Sequence, residues 1–168
     1  MAVVVGQVTD TTDSSRQHDM CCLQEAILKE PDVVCLLLVI VFFIDGRIQW
    51  KAYSIIYFFA FILAFGCILT LFIHYFEVPK ASSQVPWLTV ELLWNIIGCV
   101  LCAVGFMVLA WDWWQMKDGR HVHHATMAPR NIGESRWLRR VAIVAASLLL
   151  AACLFLFTLL RVRRAGIN

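Results

Sequence analysis

Four apolar runs separated by polar stretches organise the chain. Residues 52–76 are almost wholly apolar and rich in Phe, Ile and Leu. Residues 87–111 are interrupted only by Glu91 and Asn95 among strongly polar groups, and residues 141–160 only by Ser147 and Thr158. Each reaches the roughly 20 residues that a helix needs to cross about 30 Å of hydrocarbon, so each predicts a transmembrane helix. The first run is shorter. Residues 33–44 form an unbroken apolar stretch worth only about 18 Å of helix at 1.5 Å per residue. To span, it must continue through Asp45, Gly46 and Arg47 to Trp50, giving a segment over 31–50. Pro31 suits the first helical turn, where its missing N–H costs nothing. Arg47 and Lys51 could then snorkel to the interface. A re-entrant or surface segment is the competing reading of so short a run.

Composition carries this pattern into a fold class. The chain is 61% hydrophobic and 15% charged, with a mean hydropathy of +0.74. An average soluble domain carries about 25% charge and roughly 45–50% apolar residues. The expected fold is therefore all-α and integral to a membrane, a four-helix transmembrane bundle with short polar tails. Residues 1–24 form a flexible polar N-terminal tail, 25–162 the membrane domain and 163–168 a basic C-terminal tail. A net charge of +2 gives no argument for nucleic acid. The expected partners are membrane lipids, other transmembrane helices or further copies of this chain. Met1 to Val5 lack the basic n-region of a signal peptide, so insertion is expected to be driven by the internal helices.

Aromatic residues mark the span boundaries independently of hydropathy. Trp50 precedes the second run, Trp87 opens the third, Trp111, Trp113 and Trp114 close it, and Trp137 precedes the fourth. Such rings are enriched at headgroup level. Charge leaves orientation open. With four spans, one side carries Arg16, Lys29, Lys80, Arg161, Arg163 and Arg164, and the other Arg47, Lys51, Lys117, Arg120, Arg130, Arg136, Arg139 and Arg140. Five of the seven cysteines lie inside apolar runs, and none falls in a connecting loop, so no loop disulfide framework is expected.

From Val85 the chain reads Val-Pro-Trp-Leu-Thr-Val-Glu-Leu-Leu-Trp-Asn, followed by an apolar helix rich in small residues. This resembles the third helix of MARVEL-domain proteins, in which Pro-Trp is followed by an acidic residue and then an Asn. Four spans, a short second loop and polar tails are similar to that layout over about residues 25–162. The likeness is to the small four-span members, such as plasmolipin and the chemokine-like-factor relatives. Tetraspanins and claudins, by contrast, carry paired cysteines in an extracellular loop. The resemblance implies cytoplasmic termini at the plasma membrane or an endomembrane or vesicle, a role in membrane apposition, vesicle trafficking or membrane-domain organisation, and no catalysis or cofactor.

Glu91 and Asn95 are the main candidates for chemistry. Four residues apart, they share one helix face. They lie about 6 Å and 12 Å in from Trp87 at 1.5 Å per residue. A carboxylate at that depth must face the bundle or a cavity and is a functional candidate; hydrogen bonding to a neighbouring helix is the structural alternative. His74 is an expected partner of Glu91 across the short 77–86 loop. Cys99 and Cys102 have Cys-x-x-Cys spacing, but lipid suppresses thiolate formation there. His121, His123 and His124 lack a nearby acidic or thiol ligand and make a poor preformed metal site. Cys21 and Cys22, beside the membrane, are candidates for S-palmitoylation if the N-terminus is cytoplasmic. Gly98, Ala103 and Gly105, with Ala142, Ala145, Ala146, Ala151 and Ala152, favour close helix contact, so the third and fourth helices should pack most tightly. The expected function is non-enzymatic membrane organisation. A channel or transporter subunit with a Glu91–Asn95–His74 path is the rival, and a membrane enzyme ranks below both.

Overall fold

The computed structural model describes residues 29–76, 87–120, 128–129 and 132–165. Among these there are four helices: α1 over 29–43, α2 (Lys51–Tyr75), α3 (Trp87–Lys117) and α4 (Glu134–Ala165). There is no strand among the described residues. The last three helices are long and apolar enough to cross a membrane. The side chains of Phe58, Phe61, Phe65 and Phe72 on α2, and of Val100, Val104 and Met107 on α3, point outward and exposed. An apolar surface this continuous needs a hydrocarbon or protein cover.

Contacts between helices fix an alternating up-and-down order. Lys29 at the start of α1 meets Glu91 at the start of α3, so those two helices run parallel. Gly66 of α2 lies under Trp94 of α3, and Tyr53 of α2 bonds Asp112 of α3. In α4, Phe155 lies against Gly98 and Leu148 against Gly105. Both α2 and α4 are therefore antiparallel to α3.

The inner faces repeat with one spacing. Buried residues fall at Lys29, Asp32, Leu36, Val39 and Phe43 on α1, and at Tyr53, Ile56, Ala60, Leu63 and Cys67 on α2. On α3 they are Asn95, Gly98, Cys102, Gly105, Leu109, Asp112 and Met116; on α4, Trp137, Val141, Val144, Leu148, Ala151, Phe155 and Thr158. Along these rows the steps alternate between three and four residues, and Cys35, Ala64, Ala145, Ser147 and Ala152 are buried beside them. That 3.5-residue period is the seam of knobs-into-holes packing and implies a left-handed bundle. Among the three long helices, α3 and α4 are the most extensively packed pair, as their small residues suggested. A methyl group added at Gly98 would stand 2.8 Å from the Phe155 ring, and one at Gly105 would stand 3.1 Å from Leu148. Glycine is what lets the two backbones approach.

Helix ends depart from the expected spans. The described part of α1 stops at Phe43 instead of running to Trp50. The chain turns over 44–49, with the N–H groups of Gly46 and Arg47 both donating to the Phe43 carbonyl at 3.2 and 3.0 Å. Gly46 faces the Trp137 ring so closely that no side chain fits there. In the other direction, α3 continues six residues past Trp111. It ends where the Gly119 N–H bonds the Met116 carbonyl and the Arg120 N–H bonds the Gln115 carbonyl, with Gly119 at φ 72°. This is a Schellman cap, whose left-handed residue favours glycine. The α4 helix begins at Glu134, seven residues before the apolar run, with the Gly133 carbonyl accepting from Arg136 and Trp137. The long 112–140 connection thus shortens to 118–133.

Candidate functional site

Two polar layers lie on the inner seam, one near each end of the bundle. Asn95 and Asp112, which belong to different layers, are 17 residues apart on α3, or about 26 Å at 1.5 Å per residue. That separation is close to the thickness of a bilayer core.

The first layer gathers Lys29 and Asp32 from α1 with Glu91 and Asn95 from α3. Nζ of Lys29 stands 2.7 Å from Oε1 of Glu91, with the Lys29 side chain fully buried and that of Glu91 12% exposed. The contact is an ion pair by distance, not an aligned hydrogen bond. Asp32 follows Lys29 by one turn and is also fully buried. It lies within electrostatic reach of Lys29 and of the thiols of Cys35, Cys67 and Cys102. Asn95 is fully buried one turn beyond Glu91. Neither oxygen of Asp32 and neither polar atom of the Asn95 amide has a hydrogen-bond partner among the described residues. A buried polar group without a partner costs about 1–3 kcal/mol, and more when charged.

Tyr53 and Asp112 form the second layer. The Tyr53 hydroxyl donates to Oδ2 of Asp112, and both residues are buried. Around them Phe43 lies 4.8 Å from Tyr53 and 6.1 Å from Trp137 between ring centroids, while Tyr53 and Trp137 stand edge-on at 5.8 Å. At the rim, Arg140 bonds Asp45 at 2.9 Å. That pair is partly exposed and contributes at most about 1 kcal/mol. Tyr53→Phe should lower stability in detergent by about 1–3 kcal/mol, the range for a lost hydrogen bond to a charged group. A detergent-denaturation midpoint that does not move would show that the bond contributes nothing.

The expected site residues separate. Asn95 is buried on the inner seam, and Glu91 meets Lys29 of α1. The side chain of His74 lies outside the described residues, as do Cys21, Cys22, His121, His123 and His124. Trp111 and Trp114 are exposed, and Trp113 is half-buried with the Lys117 ammonium 5.5 Å from its ring centre, which fits headgroup anchoring. Trp50 and Trp87 are half-buried at the starts of α2 and α3. Trp137 departs from the anchor expectation, because its ring is fully buried between Gly46, Phe43 and Tyr53. Cys99 and Cys102 are free thiols. Sequence reasoning missed Lys29, Asp32, Tyr53 and Asp112. The three-and-four spacing that joins Lys29 and Asp32 to Leu36, Val39 and Phe43 is the signal that finds the first two.

Comparison with protein-family models, with curated proteins and with solved structures finds no match to this chain.

Proposed function

We propose that the chain is a non-enzymatic, four-span membrane protein of MARVEL type. In this reading it acts in membrane organisation, apposition or vesicle trafficking through its shape, its lipid contacts and partner helices. The observation that carries the proposal is the sorting of its side chains. The buried charges sit on the inner seam, while the outward rows of α2 and α3 carry aromatic and aliphatic groups. That division suits a bundle standing in hydrocarbon, where ionisable groups must turn inward. The described part of α1 covers about 22 Å at 1.5 Å per residue, and its pairing with α3 supports its role as the remaining span.

Sidedness of the two termini is the direct test. Epitope tags at each end, read before and after selective permeabilisation, should both report the cytoplasmic side. Tags on opposite faces would leave an odd number of spans and remove α1, and the family reading with it. Cytoplasmic termini would make palmitate on Cys21 and Cys22 a further expected outcome, read by acyl exchange.

A second reading, a channel or transporter subunit, draws on the unpartnered Asp32 and Asn95. Ion flux into reconstituted vesicles separates the two. Under the first reading, flux matches that of empty vesicles. Flux abolished by Glu91→Gln would favour the second.

A further inference from the structure

The first polar layer buries two carboxyl groups around one described ammonium. Lys29, the one described ammonium in the layer, is in contact with Glu91. Asp32, which the same ammonium reaches only electrostatically, sits fully buried with neither oxygen hydrogen-bonded among the described residues. Burying an ionised carboxylate without a partner is costly enough that proteins pair it, neutralise it or give it a metal ion.

Register places a second oxygen donor at nearly the same depth. Because α1 and α3 run parallel and the Lys29–Glu91 contact sets their offset, Asp32 lies about 4.5 Å further in than that contact, and Asn95 about 6 Å further in. The two are at nearly the same depth, both on the inner seam and both fully buried. Among the described residues, Asn95 has no hydrogen-bond partner at its carbonyl oxygen or at its NH2 group. Three oxygens, two of them on a carboxylate, thus occupy one level of the bundle core with nothing described to satisfy them. Oxygen-rich sets of this kind suit hard cations, and a carboxylate also accepts a proton.

We infer that Asp32 and Asn95 form a binding site for one monovalent positive charge, an alkali cation or a proton, between α1 and α3. The groups facing it are Lys29 and the Cys35 thiol on α1, Cys67 on α2, and Glu91 and Cys102 on α3. From α4 comes the neutral Thr158, whose hydroxyl bonds the Leu154 carbonyl at 3.0 Å. Arg161, the next charge on α4, is exposed over the Phe157 ring. Occupancy ties α1 to α3 and so couples the least hydrophobic contact in the bundle to the ionic medium. The inference goes beyond membrane organisation and does not depend on it, since binding requires neither transport nor a partner.

The test is thermal unfolding of the purified full chain in detergent micelles. The titrants are sodium, potassium or choline at fixed ionic strength, and then pH from about 5 to 9, the range in which buried carboxyls and their neighbours titrate. Ligand that binds only the folded state raises the midpoint with its concentration. An alkali-cation site shows a rise with sodium or potassium over choline, lost in both Asp32→Asn and Asn95→Leu. A proton site shows a rise toward low pH with no preference among the salts, lost in Asp32→Asn and kept in Asn95→Leu. Asp32→Asn is nearly isosteric and removes the buried charge, so it should fold at least as well as the parent without added ion. A wild-type midpoint flat against both titrations overturns the site, as does a dependence that survives unchanged in Asp32→Asn. Neither overturning result bears on the sidedness of the termini.

Discussion

Replacing Lys29 with Met is expected to destabilise the bundle more than any other single change at its polar layers, by about 3–5 kcal/mol, the range for stranding one member of a buried ion pair. Two carboxylates, Asp32 and Glu91, would remain in the core with no described cation between them. Glu91→Gln should cost less. The ammonium it strands has Asp32 one helical turn away, which can take over as its counter-ion. The ordering of the two singles is thus diagnostic of the three-group arrangement. A simple two-member pair would give the opposite order, because Glu91→Gln strands the more deeply buried Lys29. Replacing both Lys29 and Glu91 with Met should recover much of the lost stability, because a buried pair seldom outperforms apolar side chains of similar volume. Denaturant-detergent titration ranks the four proteins. Two singles each within about 1 kcal/mol of the parent would place the pair in a screened, exposed setting, and the buried contact would have to be given up.

The helical class and the three long apolar segments were legible from hydropathy alone, and Trp87 marks the start of α3. The inward faces were not read, for a physical reason. In water an amphipathic helix announces its core face by contrast, whereas α2 and α3 are apolar all round and barely amphipathic. Their seam is marked by what is small or polar: Asn95, Gly98, Cys102, Gly105 and Asp112 on α3 recur at alternating steps of three and four. Counting apolar runs also set the wrong ends. A hydropathy window stops at the first charges, at Asp112 and after Arg140, but a helix continues until its backbone is capped. Here that happens at Gly119 and Gly133. Lys29 and Asp32 precede the unbroken run that begins at Val33, yet their spacing continues the Leu36–Val39–Phe43 row. A spanning length would need helix through Gly46, and the glycine marks a turn instead.

That glycine leads to the second large effect. Trp137 is the largest fully buried side chain in the described structure, and its six-membered ring occupies the space where any residue but glycine at position 46 would carry its Cβ. Gly46→Ala must therefore displace either the indole or the 44–49 turn. The indole is held by Phe43 on one side and Tyr53 on another, so it has little room to yield. Overpacking of this kind costs about 1–3 kcal/mol and sometimes more. Trp137→Ala empties the same place from the other direction, and large-to-small changes at buried Trp cost about 3–5 kcal/mol. The two defects should offset one another. With Trp137 cut to Leu, the methyl added at position 46 gains room, so Gly46→Ala adds little further loss in that background. The expected sign of the double-mutant coupling is stabilising, and coupling between touching residues falls between about 0.5 and 3 kcal/mol. Because this contact joins the α1–α2 turn to the start of α4, Gly46→Ala should also expose the Asp45–Arg140 pair, read as faster cleavage by a protease at 44–49. Strict additivity of Gly46→Ala and Trp137→Leu would mean that the turn and the indole do not touch, and α1 would lose its anchor at this end of the bundle.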